Sequence, residues 1–389
     1  MSMLVKLFVK NYEQLDNLEV RERYGKLMSI VGILANVCLF VAKFFIGVLV
    51  NSVSIRADAI NNLSDAGSSF ISFISFKLAS KPADEEHPFG HARYETIASF
   101  IVAAFILMLG LDLVQSSVVK IFSSDEVHFS MISVGILLLS IAVKFWMYRY
   151  NRKYGKLLKS SVMEATAMDS LSDVMATTSV LISTVLSYLF HIPLDGYMGV
   201  LVAIFILRAG AEIIRKALDE LLGKAPDPLL VKQLEEKIYS YEGVLGMHDL
   251  IIHNYGPQRT FASVHVEVDG RDDIFSSHDI VDNIERDFQK EFHMSLVVHM
   301  DPINTDDVLT NELKLFTENI VKRVDTTLSI HDFRIVSGDT HTNLIFDITV
   351  PHHIKETNAQ LQEKIQTLVN EYNHTYYVVI TFDRAYISS

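Results

Sequence analysis

The chain has a single cysteine, Cys38, among its 389 residues. This residue lies within an apolar segment, so the sequence excludes both a disulfide framework and a metal site built from thiolates. Positive charge is also scarce, and a net charge of -13 excludes a nucleic-acid-binding protein, because phosphate recognition needs a basic patch. The N-terminus lacks a small-residue cleavage site after its short apolar patch. We therefore expect no removable signal peptide.

Long apolar runs are missing from the second half of the chain, since nearly all of them precede residue 216. Segments of about 20 largely apolar residues are long enough to span a bilayer. Six segments meet this length: Ser29–Val50, Val53–Ala79, Ile97–Phe122, Met131–Met147, Ser161–Phe190 and Pro193–Ile214. We therefore predict a polytopic α-helical membrane protein, with six transmembrane helices in residues 29–216 and a cytoplasmic N-terminal segment in residues 1–28.

Lys and Arg are absent from three of the loops between these segments, namely residues 51–52, 123–130 and 191–195. The loops at the other ends of the segments are basic, as in YRYNRKYGKLLKS at 148–160. Basic residues are enriched in cytoplasmic loops of membrane proteins. This distribution predicts that both termini lie in the cytoplasm and that the protein spans the plasma membrane.

The second and fifth segments contain polar residues in the same spacing. Asn61 and Asp65 are four residues apart, and so are Asp169 and Asp173. Residues with this spacing share one face of a helix. A carboxylate at mid-bilayer costs at least ~2.5–3.5 kcal/mol, and an isolated amide is often only a contact between helices. Because both segments carry such a pair, we predict that they face each other and share a cation or protons.

These pairs, the six-span topology and the loop KPADEEHPFGHARYE at 81–95 resemble the cation diffusion facilitator family, over about residues 20 to 303. The resemblance implies a metal/proton antiporter that acts as a homodimer within the lipid bilayer. Its transport site would be formed by Asn61, Asp65, Asp169 and Asp173. Some members also bind metal at positions matched by Asp84, His87 and His91, and others form a salt bridge at positions matched by Arg93 and Asp219.

The resemblance also indicates which metal ion is transported. Many zinc exporters of the family have histidine where this chain has Asn61 and Asp169. Carboxylate, carbonyl and water oxygens suit Mn²⁺, whereas imidazole suits Zn²⁺. The all-oxygen pattern resembles the manganese branch, so we predict Mn²⁺ as the exported substrate and no organic cofactor. Zn²⁺, Fe²⁺ and Co²⁺ remain alternatives, because affinity alone does not exclude them.

Two other classes of protein compete with a transporter. A membrane metal sensor would bind ions without moving them, but sensing does not require carboxylate pairs in mid-span. A membrane-embedded hydrolase would use the aspartates as catalysts. The sequence has no HExxH motif and no set of nucleophile and base to support it. We therefore predict that the chain is not an enzyme.

Residues 217–303 alternate short strands with amphipathic helices, which predicts a cytoplasmic α+β domain. The predicted elements are a helix at Leu229–Tyr241, strands at Met247–His253 and Thr260–Asp269, a helix at Ser277–Phe292 and a strand at Met294–His299. This order is similar to the ferredoxin-like domain of the family. The resemblance implies a regulatory metal site formed by His248, His265, His278, His299 and Asp301.

Residues 304–389 repeat this pattern. MHDLII at 247–252 recurs as IHDFRI at 330–335, and VVHMDP at 297–302 recurs as VITFDR at 379–384. Self-similarity at a fixed offset indicates duplication, so we predict a second ferredoxin-like copy. His331, Asp347 and Asp383 match ligand positions of the first copy, but Thr381 replaces a histidine. We therefore expect this copy to have a structural or dimer-extending role, not an equal metal site.

Overall fold

A computed structural model describes the chain except for Met1, Asp16 and residues 50–52, 123–130, 191–194, 257–258, 352 and 385–389. The loops without Lys and Arg lie in these gaps apart from Asp195, so the topology prediction based on them falls outside the described residues. The chain forms two compact units. The first unit contains Met1–Lys224 with Asn254–Arg259, and the second contains Ala225–His253 with Thr260–Ser389.

The first unit is helical. Its helices are α1 (Ser2–Phe8), α2 (Leu18–Leu49), α3 (Val53–Ala79), α4 (Tyr94–Phe122), α5 (Met131–Leu158), α6 (Ser161–Phe190) and α7 (Asp195–Leu222). Among the described residues, three stretches are long and apolar enough to cross a membrane: Glu19–Ile46, Tyr94–Phe122 and Gly196–Leu222. The helices α3, α5 and α6 have 27, 28 and 30 residues but carry more polar side chains. Length and apolarity together therefore identify three spans, against the six predicted.

Helices α4 and α7 approach each other closely at two glycines. A Cβ atom on Gly110 would lie 2.9 Å from the Leu207 side chain, and one on Gly210 would lie 2.9 Å from the Leu107 side chain. Small residues allow helix backbones to come together where the hydrophobic effect does not drive association. The two glycines therefore set the spacing between α4 and α7.

A buried ion pair joins the beginnings of α2 and α4. Arg21 Nη2 lies 2.7 Å from Glu95 Oε2, and the two side chains are 5% and 3% exposed. The Ser160 hydroxyl donates to the same carboxylate at 2.7 Å, and the Arg21 guanidinium also donates to the carbonyl oxygen of Leu158. Both charges are thus desolvated but hydrogen-bonded, which is the arrangement that makes a buried pair tolerable.

Replacement of Glu95 by glutamine is expected to lower the free energy of unfolding by about 3–5 kcal/mol, because Arg21 would remain buried without a counter-charge. Unfolding in mild detergent with increasing denaturant would measure the change. Glu19→Gln is the matched control, since Glu19 forms an exposed pair with Arg23 at 3.4 Å. An exposed pair contributes at most about 1 kcal/mol. Equal effects of the two substitutions would contradict the structural role of the buried pair.

The second unit contains the order helix, strand, strand, helix, strand twice. The first segment consists of α8 (Pro228–Ile238), β1 (Val244–Asn254), β2 (Thr260–Asp269), α9 (Ile274–Glu291) and β3 (Met294–Ile303). The second segment consists of α10 (Val308–Val324), β4 (Ser329–Ser337), β5 (Thr342–Val350), α11 (Asn358–Tyr372) and β6 (Tyr376–Arg384). Two three-stranded sheets result, ordered β1-β2-β3 and β4-β5-β6. The elements predicted between Leu229 and His299 are confirmed.

The strand registers place polar residues in equivalent positions of the two sheets. β2 and β3 run parallel and pair His265 with His299, while β5 and β6 run parallel and pair Asp347 with Thr381. Their neighbours in sequence, such as Val264 and Phe346, are fully buried in the core of each segment. Because side chains alternate along a strand, His265 and Asp347 point away from those cores.

Candidate metal transport site

The two polar pairs predicted from the sequence meet inside the first unit. The side chains of Asp65 on α3 and Asp169 on α6 are 3% and 4% exposed. One oxygen each from Asp65, Asp169 and Asp173 lie within 4.8 Å of one another. Asn61 Nδ2 lies 3.5 Å from Asp173 Oδ1, which brings the fourth predicted residue to the same place. Helical spacing puts each pair on one face, and the contact of α3 with α6 brings the faces together.

Lys144 of α5 enters this group and was missed in the sequence analysis. Its Nζ atom lies 2.5 Å from Asp65 Oδ2 and 2.6 Å from Asp173 Oδ2, and its side chain is 4% exposed. The ammonium group therefore bridges one carboxylate from α3 and one from α6. The signal was present in the sequence, because Lys144 is a charged residue within the fourth predicted span. A charge in such a position marks a functional site by default.

The loop between α3 and α4 brings together Asp84, His87 and His91. One potential ligand atom from each lies within 4.8 Å of the others. The backbone N–H of His87 donates to Asp84 Oδ1 at 2.7 Å, and this bond holds the pKa of the Asp84 carboxyl below its ordinary value. His91 Nδ1 lies 3.0 Å from the carbonyl oxygen of Pro82, which orients the ring. Metal binding by this loop stays a prediction.

Arg93 and Asp219 do not form an ion pair among the described residues. Arg93 Nη2 donates to the carbonyl oxygen of Asn254 at 3.0 Å, and its guanidinium lies 4.4 Å from the centre of the Tyr255 ring. Asp219 lies 4.0 Å from Arg215, one turn earlier on α7. The guanidinium of Arg93 thus contacts a carbonyl and an aromatic face within its own unit. The salt bridge with Asp219 stays a prediction.

Four of the five predicted cytoplasmic ligands lie together on the face of the first sheet that points away from its core. Asp301 is their centre: its Oδ2 lies 2.8 Å from His265 Nδ1 and 3.3 Å from His248 Nε2, and its Oδ1 lies 3.2 Å from His299 Nε2. His278 is the exception among the described residues. It lies on α9, is 66% exposed and has its Nδ1 atom 3.8 Å from Asp282. Within one chain, helix α9 therefore holds this histidine away from the strand residues.

Residues of the second segment also reach this cluster. Asp332 joins His248, His265 and Asp301 in a group whose potential ligand atoms lie within 4.8 Å of one another. A separate group is formed by His331, Asp347 and Asp383. The sequence pattern indicated all three residues of the second group and three of the four in the first. Asp332 was missed, because its place in the first group depends on how the two segments pack.

Comparisons with known proteins agree with this arrangement. A family profile described as the cation efflux transmembrane domain matches residues 29–222. A second profile, described as the cytoplasmic domain of cation efflux proteins, matches residues 226–303. Both profiles therefore end before the second segment of the cytoplasmic unit begins.

Three relatives illustrate the similarity. An uncharacterized transporter of Methanocaldococcus jannaschii is 34% identical over 254 residues, which cover 65% of this chain and 88% of the relative. The manganese efflux system protein MneS of Bacillus subtilis is 31% identical over 291 residues, or 72% of this chain and 99% of MneS. The cation-efflux pump FieF of Salmonella arizonae is 25% identical over 301 residues, or 76% of this chain and 99% of FieF. The chain therefore belongs to the cation diffusion facilitator family of cation efflux transporters.

Proposed function

We propose that this protein exports Mn²⁺ from the cytoplasm in exchange for protons. The observation that carries the proposal is the group of Asp65, Asp169 and Asp173, whose oxygens lie within 4.8 Å of one another beside Asn61. These side chains offer oxygen donors and no imidazole, which favours Mn²⁺ over ions that prefer nitrogen. The similarity to MneS, a manganese efflux protein, supports the same choice of metal.

The proposal includes six membrane spans, α2 to α7, with both termini in the cytoplasm of a plasma-membrane homodimer. Each of the three less apolar helices carries at least one charged residue at the transport site, where Lys144 of α5 contacts Asp65 of α3 and Asp173 of α6. Polar groups that face one another inside a bundle are not exposed to lipid. The lower hydropathy of α3, α5 and α6 is therefore compatible with spanning, and the basic loops orient the bundle.

The contacts of the three carboxylates explain how a metal ion could be exchanged for protons. The Lys144 ammonium already satisfies Asp65 and Asp173, so an arriving metal ion must displace it from both oxygens. Protons compete with metal for the same carboxylates, because only the deprotonated form is a ligand. Metal would bind from the cytoplasm as protons leave, and protonation with return of the ammonium group would release it on the other side.

A cavity of 600 Å³ lies between α4, α5, α6 and α7. Its wall includes Ala167, Met168 and Leu171, which flank Asp169 along α6. Glu164 and Glu220 also line it. Four basic residues line it as well: Arg152, Lys156, Lys159 and Lys216. The position of the cavity beside Asp169, and not its charge, therefore supports a route of entry towards the transport site.

Proteoliposomes that hold a metal-sensitive dye would test this function. Mn²⁺, Fe²⁺, Co²⁺ and Zn²⁺ would be offered separately across an imposed pH gradient. We expect rapid Mn²⁺ entry that depends on the gradient and weak Zn²⁺ entry. If Zn²⁺ entered as fast as Mn²⁺, the protein would still be a transporter of this family, but the choice of Mn²⁺ as its substrate would be overturned. Mn²⁺ entry without any response to the pH gradient would overturn proton exchange.

Selectivity should follow the donor atoms. The double substitution Asn61→His and Asp169→His places imidazoles where many zinc exporters have them. We expect the ratio of Zn²⁺ to Mn²⁺ transport to rise by on the order of tenfold, which corresponds to ~1.4 kcal/mol of differential binding. The same proteoliposomes would measure the ratio. An unchanged ratio with retained transport would show that these two positions do not set selectivity.

A further inference from the structure

The two segments of the cytoplasmic unit meet at equivalent positions of β1 and β4. Here His248 and Asp249 of the first segment face His331 and Asp332 of the second, and the two imidazole rings stack with centres 4.4 Å apart. Asp249 and Asp332 both have a φ angle of 51°. This left-handed conformation is uncommon for residues other than glycine. The backbone therefore turns in the same way at both positions and aims each carboxylate at the opposite segment.

The contacts across the segments are reciprocal. His248 Nε2 lies 3.5 Å from Asp332 Oδ1, and His331 Nε2 lies 3.5 Å from Asp249 Oδ2. Each histidine also faces an aspartate from the third strand of its own segment. These distances are 3.3 Å from His248 to Asp301 and 3.6 Å from His331 to Asp383. Each Nε2 atom is thus placed between one carboxylate of its own segment and one of the other.

The Nε2 atoms of the two histidines are buried without a hydrogen bond from any described residue. The side chains of His248 and His331 are 9% and 7% exposed, and within the described part of the chain no group hydrogen-bonds either Nε2 atom. Buried polar atoms in native proteins are normally hydrogen-bonded or ligated, because desolvation without a partner costs free energy. The carboxylates lie close enough to share a cation with these nitrogens, but they do not satisfy them directly.

The cluster also concentrates negative charge. Five aspartates surround the two histidines: Asp249, Asp301, Asp332, Asp347 and Asp383. Among the described residues, the ion-pair partners of Asp249, Asp301 and Asp332 are all histidines. Burial and the neighbouring Asp249 and Asp347 raise the pKa of Asp383 above its ordinary value. This field favours a divalent cation over an anion or a neutral ligand.

We propose that the second segment adds a ligand to the cytoplasmic metal site that the resemblance implied and forms a further site for a divalent transition-metal ion beside it. The first ion is held by His248, His265 and Asp301 together with Asp332 from the other segment. The second ion is held by His331, Asp347 and Asp383 together with Asp249 from the first segment. Mixed imidazole and carboxylate ligands are typical of first-row transition metals.

This site differs from what the resemblance implied. The family pattern places ligands in the first segment alone, and the loss of one histidine at Thr381 indicated a structural role for the second. The geometry instead makes each segment supply a carboxylate to the ion of the other. Metal would therefore cross-link the two segments within one chain, since both ions need ligands from both sides. The site does not depend on which metal the membrane helices transport.

Co²⁺ binding to the full-length protein in detergent would test the proposal. Asp173→Asn would serve as the parent, so that binding at the transport site is weakened in every sample. We expect Asp332→Asn to weaken one Co²⁺ site by at least about tenfold, and His331→Ala to remove one bound Co²⁺ per chain. Equilibrium dialysis would count the ions, and the visible absorption of bound Co²⁺ would report on nitrogen ligation.

His341→Ala is the matched control, because His341 is an exposed histidine of the same segment and contacts Thr340 at 2.9 Å. It should leave both Co²⁺ ions in place. If Asp332→Asn and His331→Ala bind Co²⁺ like the parent while His248→Ala loses one ion, the site is confined to the first segment and the proposal is overturned. Should His331→Ala fail to fold, Asp383→Asn gives a second test, since it keeps the size of the side chain and should also weaken one ion by about tenfold.

Discussion

Asp173→Asn is expected to reduce Mn²⁺ transport by at least about two orders of magnitude, since a loss of ~2.7 kcal/mol of ion binding is sufficient. Asparagine keeps the size of the side chain but removes one of three negative charges within 4.8 Å of one another. It would also leave the Lys144 ammonium with Asp65 as its remaining charged partner at this place. The lost charge weakens a divalent ion more than it weakens the monovalent ammonium, because the attraction to each carboxylate scales with the charge of the cation.

Transport of Mn²⁺ into proteoliposomes would be compared with the melting temperature of the same samples. Asp112→Asn is the matched control, because Asp112 is an exposed carboxylate on α4, outside the group of three. It should transport at close to the unsubstituted rate. Undiminished Mn²⁺ transport by a folded Asp173→Asn protein would remove Asp173 from the site, whereas a loss that tracked a lower melting temperature would indicate a folding defect.

Lys144→Met is expected to make the protein unstable without metal and to change transport in a distinctive way. Removing the ammonium leaves Asp65 and Asp173 buried without their partner, which should cost about 3–5 kcal/mol in the metal-free state. Bound Mn²⁺ can replace the missing charge. At 100 times its dissociation constant, a ligand specific for the folded state restores about 2.7 kcal/mol.

The substitution should favour binding of Mn²⁺ but slow its release. Mn²⁺ would no longer compete with a tethered cation, so we expect the KM for Mn²⁺ to fall by about tenfold, or ~1.4 kcal/mol. Release would lose the ammonium group that replaces the ion, so kcat should also fall. A decrease in both KM and kcat would indicate that Lys144 competes with bound Mn²⁺, whereas a simple loss of transport would lower kcat without lowering KM.

Melting curves with and without Mn²⁺, together with initial rates in proteoliposomes, would measure these effects. Lys120→Met is a suitable control, because Lys120 is an exposed lysine of α4 far along the chain from the site. An equal loss of stability with and without Mn²⁺, at an unchanged KM, would assign Lys144 a purely structural role. The test therefore separates a tethered counter-cation from an ordinary buried ion pair.

The sequence was sufficient to predict the local parts of the candidate transport site. The i, i+4 spacing of Asn61 with Asp65 and of Asp169 with Asp173 follows from helix geometry alone. The cost of intramembrane charge then required the two faces to meet. Lys144 was not found in this way, because it has no partner within its own helix and its role depends on α5 packing beside α6.

In the cytoplasmic unit, too, the sequence predicted local elements but not the contacts between them. Short runs of alternating apolar and polar residues predicted β1, β2 and β3, and the similarity of IHDFRI to MHDLII pointed to the strand β4. The sequence also indicated that the second segment had lost one ligand, since Thr381 stands where the first segment has a histidine. That prediction compared the two segments position by position and did not consider contacts between them. It did not include Asp332, which lies 3.5 Å from the histidine of the other segment.

Sequence by itself determined the family, most of the helices and strands, and the faces on which the candidate metal ligands lie. These depend on periodicity, hydropathy and charge, which are properties of short stretches of chain. Tertiary structure alone decided that Lys144 bridges Asp65 and Asp173, that His278 stands apart, and that Asp249 and Asp332 reach across to opposite histidines. Contacts between distant residues follow from how whole elements pack, and no local pattern in the sequence records that packing.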